Sequence, residues 1–130
     1  LVDIAEKMLE QARIKVKNQK LENLHLIQQD LLLQPLEQTF DLIIVSRVLH
    51  HMPNLDSSLA MFKKHLTHGG QLFIADYTVP DGETHGFMIS ELEEILKNHG
   101  FSDIQTQILY SSEHLFLDKP SQLFLTSAIK

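Results

Sequence analysis

The 130-residue sequence has no cysteine, so none of its residues forms a disulfide, a thiolate zinc site or a thiol nucleophile. Glycine is scarce at five residues, two of them the adjacent Gly69-Gly70, against a usual share of about 7%. With so few there is no glycine-rich phosphate loop, and no Gly-x-Ser-x-Gly elbow for a hydrolase either. Basic residues are outnumbered, 11 to 17, which leaves a net charge of −6. A reader of nucleic-acid backbones needs a basic face, so no nucleic-acid partner is expected. No apolar run approaches the roughly 18 residues of a membrane span, and no membrane partner is expected. The opening Leu1-Val2-Asp3 has none of the basic, apolar and small-residue stages of a signal peptide. With the absence of cysteine, this makes a cytoplasmic location the expectation. The first residue is Leu1 rather than Met, and the chain is expected to be part of a longer one.

What is present describes a globular body. Hydrophobic residues make up 43% and charged residues 22%, with a mean hydropathy of −0.08, enough to bury a core, and the length suits one domain over 1–130. The first 20 residues hold five basic and three acidic side chains, a pattern typical of a solvated helix. Along the chain the hydrophobic period switches between helical and strand values, the mark of an α/β fold around a largely parallel sheet. Ile4, Met8, Leu9, Ala12 and Val16 share one side of a helix. A short strand follows within Asn23 to Gln28, then a turn through Leu31-Leu32-Leu33 and Pro35. Phe40-Asp41-Leu42-Ile43-Ile44-Val45 is almost continuously apolar, which predicts a central strand covered on both faces. Leu55, Leu59, Phe62 and Leu66 mark a helix expected to close at Gly69-Gly70, and Gln71 to Tyr77 is a strand. Ser90 and Glu93 have capping-box spacing and predict the start of a helix that stops at Gly100. Ile104 to Leu109 and Gln122 to Ile129 are expected to be antiparallel strands. Two long loops, Thr78 to Ile89 and Ser111 to Pro120, are lid candidates.

In open α/β sheets ligands bind beyond the carboxyl ends of the strands. Four polar positions fall there: Asp3, Asp30, Ser46-Arg47 with His50-His51, and Asp76-Tyr77. Asp3 either stabilises the positive end of the following helix or accepts bonds from both hydroxyls of a ribose. Asp30 either forms a turn or takes the exocyclic amino group of a base, and Asp76 caps a strand end or faces the site. The eight histidines do not make a metal centre: His50 and His51 are sequence neighbours that converge poorly on one ion, and His65 with His68 has no carboxylate pair beside it. His50-His51 either supplies a general base or divides between core packing and loop capping.

Taken together, these segments resemble the class I S-adenosylmethionine-dependent methyltransferases, in particular the small-molecule group with a Leu-His-His loop. Val2 to Leu9 (VDIAEKML) is similar to the family's acidic strand end and following helix, Phe40 to Met52 (FDLIIVSRVLHHM) to its fourth strand and loop, and Leu66 to Tyr77 (LTHGGQLFIADY) to its fifth strand. His85-Gly86-Phe87, Leu92 to Leu96 and Gly100-Phe101 resemble its later helix and sixth strand.

The resemblance implies a Rossmann-like α/β sheet, mostly parallel with an antiparallel final strand. It also implies S-adenosylmethionine as cofactor and a small molecule as methyl acceptor, joined by in-line attack without a metal. Asp3 would bind the ribose hydroxyls, Ile4 pack on adenine, and Asp30 with the backbone of Leu31 address the adenine edge. Ser46 and Arg47 would border the methionine part, His51 and secondarily His50 would face the acceptor, and Met8 would touch adenosine or the core. Ala5 stands where the family often has Ser or Thr, so a helix cap worth about 1 kcal/mol is missing. The family's first strand and its Gly-x-Gly-x-Gly turn should precede Asp3 and do not occur. That N-terminal β-α-β portion is expected to lie ahead of Leu1 in a longer parent. Because the family places its first strand mid-sheet, losing it exposes two edges, and a homodimer or an element swap between copies is expected. Methyl transfer by this chain alone is expected to be impaired. The alternative is a non-catalytic remnant or regulatory fragment of the fold. A nicotinamide dehydrogenase half shares the ribose carboxylate but lacks its phosphate loop.

Overall fold

The computed structural model describes residues 1–78, 88–116 and 119–130, and these form two compact units, Leu1–Leu36 and Glu37–Lys130. In the first, β1 (Val2–Asp3) leads into α1 (Glu6–Asn18), which returns the chain to β2 (Ile27–Gln28). The two strands pair in parallel, Val2 with Ile27 and Asp3 with Gln28. Leu9 is the fully buried anchor of α1, with Ala12 and Val16 half-buried on the same side. Ile4 and Met8, expected on that buried side, are instead exposed. With only two short strands to pack on, the unit has room under the helix for a narrow stripe.

The second unit is a four-stranded sheet in the order β3-β4-β6-β5, from β3 (Phe40–Ser46), β4 (Leu66–Tyr77), β5 (Ser102–Phe116) and β6 (Lys119–Ile129). Its pairing is mixed: β3 and β4 run parallel, while β6 is antiparallel to both β4 and β5. Register puts Val45, Ile74 and Thr126 in one row and Leu72 and Ala128 in the next, and all five are buried. This face is covered by α3 (Ile89–Asn98), whose Glu93 accepts a 2.7 Å hydrogen bond from Thr106 on β5. Thr106 in turn shares a 2.9 Å bond with Thr126. The second helix, α2 (Leu55–His65), is tied to the end of α3 by a hydrogen bond from the Lys63 ammonium to the His99 carbonyl.

Several expectations are corrected here. The apolar run 40–45 is an edge strand rather than a central one, bordered by β4 alone among the described residues. Continuous apolarity records what the side chains on each face are suited to contact, whereas strand order depends on which other strands are there to pair. Accordingly Leu42 and Ile44 are 47% and 67% exposed on the face opposite the helices. α2 ends at His65, not at the glycine pair, because Leu66 is already extended (ψ 140°) and begins β4. Gly69, at φ 78°, takes a left-handed bend within that strand that a side chain would strain. Ser90 lies inside α3 and forms no cap, because the helix starts one residue earlier and Glu93 is engaged by Thr106 instead. Ser111 to Pro120 is not a long loop: Ser111 pairs with Gln122, Ser112 with Ser121 and Phe116 with Lys119. The other proposed lid and the His85-Gly86-Phe87 segment lie mainly or wholly outside the described residues.

α2 does carry a side-chain cap, since Asn54 Oδ1 accepts the Ser57 N–H at 2.8 Å. Asn54→Ala is expected to lower stability by about 1 kcal/mol. A urea denaturation midpoint that does not move would show that this bond contributes nothing.

Candidate functional site

The candidate residues fall into two groups, one in each unit. In the first unit Asp3 and Asp30 stand at or just past the carboxyl ends of two paired parallel strands. Asp3 is half-buried, and its Oδ1 accepts the Ala5 N–H at 2.8 Å. Asp30 is exposed and holds a turn, Oδ1 accepting from Leu32 N at 2.9 Å and Leu33 N at 3.3 Å. Each carboxylate thus commits one oxygen locally and has a second for a hydroxyl or amino group. Ile4 is exposed beside Asp3, while Leu31 is half-buried. The N-cap position of α1 is Ala5 and makes no side-chain cap bond, in line with the departure noted in the sequence.

The second group sits at the carboxyl ends of β3 and β4. Ser46 ends β3, and the exposed Arg47 follows at φ 53°, its N–H donating to the Ala75 carbonyl at 2.7 Å. A non-glycine residue at positive φ is uncommon, and here it turns the chain out of the sheet into the 3₁₀ turn Leu49–His51. Leu49 is buried and anchors that turn. The turn swings His50 over the end of β4, where its Nδ1 lies 2.7 Å from Asp76 Oδ1.

Asp76 is fully buried, and three donors converge on it: the His50 ring, the His50 N–H at 3.3 Å and the Tyr77 N–H at 2.8 Å. A carboxylate so surrounded acts as acceptor, which fixes the ring proton on Nδ1 and orients Nε2 away from it. The buried charge is matched by its donors. His51 is exposed, its ring 4.0 Å from that of His50, and Tyr77 meets the His50 ring edge-on at 6.1 Å. The sequence reading gave His51 first place, whereas the structure builds its ordered pair on His50. Asp76 was legible as a strand-end carboxylate, but its bond to His50 was not, since nothing local links two residues 26 positions apart. Among the described residues no three His, Asp or Glu side chains converge as metal ligands.

The sequence pattern of a family described as the methyltransferase domain matches residues 1–116. The chain belongs to that methyltransferase family. In the order β3-β4-β6-β5 only β6 runs antiparallel to the others, which matches the antiparallel final strand expected from the resemblance, and solved structures share the fold. Phosphoethanolamine N-methyltransferase 2 of Haemonchus contortus, in complex with S-adenosyl-L-methionine, superposes with a TM-score of 0.76 at 17% identity, over 99% of this chain and 42% of that one. The CurJ carbon methyltransferase gives 0.77 at 18% identity, over 98% and 40%. Among curated proteins, a lovastatin nonaketide synthase of Monascus pilosus is 31% identical over 115 residues, 72% of this chain but 4% of the synthase. The chain thus spans a small part of that relative and under half of these two solved methyltransferases. No helix among the described residues is long and apolar enough to cross a membrane.

Proposed function

We propose that this methyltransferase domain, spanning 1–130, binds S-adenosylmethionine and passes its methyl group to a small-molecule acceptor, with His50 as the base that removes the acceptor's proton. The observation that carries this reading is the 2.7 Å bond between His50 Nδ1 and the buried Asp76, at the carboxyl ends of β3 and β4. A neutral imidazole held by a carboxylate is built to receive a proton, which suits a carbon or oxygen acceptor that must ionise. The two solved methyltransferases named above differ in acceptor, one acting on nitrogen and one on carbon, so the fold by itself does not choose.

The residues present fit the adenosine part of the cofactor. Asp3 offers a carboxylate oxygen at a strand end, and the apolar Ile4 and Met8 are exposed in the adjoining segment, 66% and 56%. Asp30 and the Leu31 backbone stand at the end of the neighbouring strand, and Ser46 with Arg47 would border the methionine part. When bound, S-adenosylmethionine supplies an electrophilic methyl group on a sulfonium centre. The chain's own work is to hold the acceptor in line and to move one proton onto His50, whose imidazolium Asp76 then stabilises. His51, exposed beside that ring, would contact the acceptor. A cytoplasmic setting and pairing between copies belong to the same reading.

The second reading is a non-catalytic piece of the methyltransferase fold. Calorimetric titration with S-adenosylhomocysteine separates the two: saturable binding is expected, and no heat at millimolar ligand would sink the cofactor reading. Asp3→Ala is expected to weaken binding by about ten- to a hundred-fold, the worth of a charge-assisted bond or two. An unchanged affinity would reduce Asp3 to a helix-end charge.

A further inference from the structure

Arg47 follows β3 at φ 53°, in the left-handed region. A Cβ is strained there, and glycine is the residue that takes this conformation freely. Two other non-glycine residues share it, each with a local reason. Lys20 lies just past α1, where a left-handed residue commonly ends a helix. Asp103 has a short polar side chain, which tolerates the region. Arg47 has neither reason, and its backbone is held in place by the 2.7 Å bond from its N–H to the Ala75 carbonyl. Strained residues persist where the surroundings hold them, and they cluster at functional sites. The charge of this side chain is equally out of pattern. From Leu21 to Phe62 Arg47 is the only lysine or arginine, among five carboxylates, and neither residue occurs from His65 to Leu96. The segments that build the His50–Asp76 pair therefore bring it one permanent cation. Asp76, next to the Ala75 that Arg47 binds, is taken up by the His50 ring, the His50 N–H and the Tyr77 N–H. Arg47 is exposed and makes no ion pair among the described residues.

We infer that Arg47 is the anion anchor of this site: its guanidinium takes a carboxylate or phosphate of a bound ligand, carried either by the methionine part of the cofactor or by the acceptor. A planar fork of N–H donors matches both groups in two-bond geometry. The chain carries a net charge of −6, which by itself disfavours an anionic ligand, and a single cation at the strand ends supplies both attraction and orientation. The inference rests on the cofactor reading above and adds to it the chemical partner of the Arg47 side chain.

Two variants separate charge from strain: Arg47→Gln removes the charge and keeps the strained backbone, whereas Arg47→Gly removes both. The calorimetric probes are S-adenosylhomocysteine, its decarboxylated analogue, and inorganic phosphate with and without S-adenosylhomocysteine. If the cofactor's carboxylate is the partner, Arg47→Gln should weaken S-adenosylhomocysteine about tenfold or more and leave the decarboxylated analogue unchanged. If the acceptor supplies the anion, Arg47→Gln should bind both nucleoside ligands as the parent chain does, and its affinity for phosphate should fall about tenfold. Arg47→Gly should show the same losses while its thermal midpoint rises by about 2–5 °C, because the strain is relieved. Affinities for all three probes that are indifferent to Arg47→Gln overturn the inference. So do equal losses for S-adenosylhomocysteine and its decarboxylated analogue, or a midpoint that falls in Arg47→Gly. A parent chain that binds phosphate through Arg47 but no S-adenosylhomocysteine sinks the cofactor reading and leaves the anchor standing, and one that binds neither overturns both.

Discussion

Asp76→Ala is expected to lower the free energy of unfolding by about 3–5 kcal/mol, the range seen when one partner of a buried polar pair is removed. Asp76 is fully buried and accepts from the His50 ring, the His50 N–H and the Tyr77 N–H. Alanine leaves all three donors without their acceptor, so the loss exceeds the net value of the bonds themselves. Asp76→Asn keeps an acceptor oxygen of nearly the same shape and should cost less than half as much. Urea denaturation of both variants checks the ordering. Equal losses would mean that side-chain volume, not hydrogen bonding, makes position 76 sensitive.

His50→Ala is expected to reduce methyl transfer by about a hundred- to ten-thousand-fold, the usual contribution of a positioned general base. His51→Ala should reduce it less than about tenfold, since orientation rather than proton transfer is then lost. The measurement is the initial rate of S-adenosylhomocysteine formation with a carbon or oxygen acceptor that supports turnover. The decisive contrast is with an amine acceptor, which carries its lone pair already and should be nearly indifferent to His50. A larger loss for His51→Ala than for His50→Ala would move the base to His51 and leave Asp76 with a structural part only.

The fold class was legible because its signals are local and repeated. A nearly apolar run at 40–45, a strand pattern at 71–77 and a helical stripe through Leu55, Leu59 and Phe62 each stand within a few residues of sequence. Strand order was less legible. The run 40–45 reads as central from composition, yet among the described residues it is bordered by β4 alone, since strand order depends on which other strands are there to pair. The Ser90–Glu93 spacing misled for a similar reason, as the glutamate found a better donor in Thr106, thirteen residues away on another element. At the site, positions were readable and partnerships were not. Asp3, Asp30, His50 and Asp76 all stand out as polar residues at strand ends, but only the folded chain shows that Asp76 belongs to His50.

The β5–β6 hairpin bears on how the second unit is assembled. Its two strands are sequence neighbours, and pairing reaches from Ser102 with Ile129 to Phe116 with Lys119, so its ladder can start from a pair close in sequence with little loop entropy to overcome. The parallel pairing of β3 with β4 must instead enclose the whole of α2 before its first bond forms, and such non-local contacts come late. The part of the sheet that holds His50 over Asp76 is therefore the part completed last. A refolding or thermally stressed chain would carry a formed hairpin and an unassembled site, with the apolar strand 40–46 not yet paired to β4 during that interval.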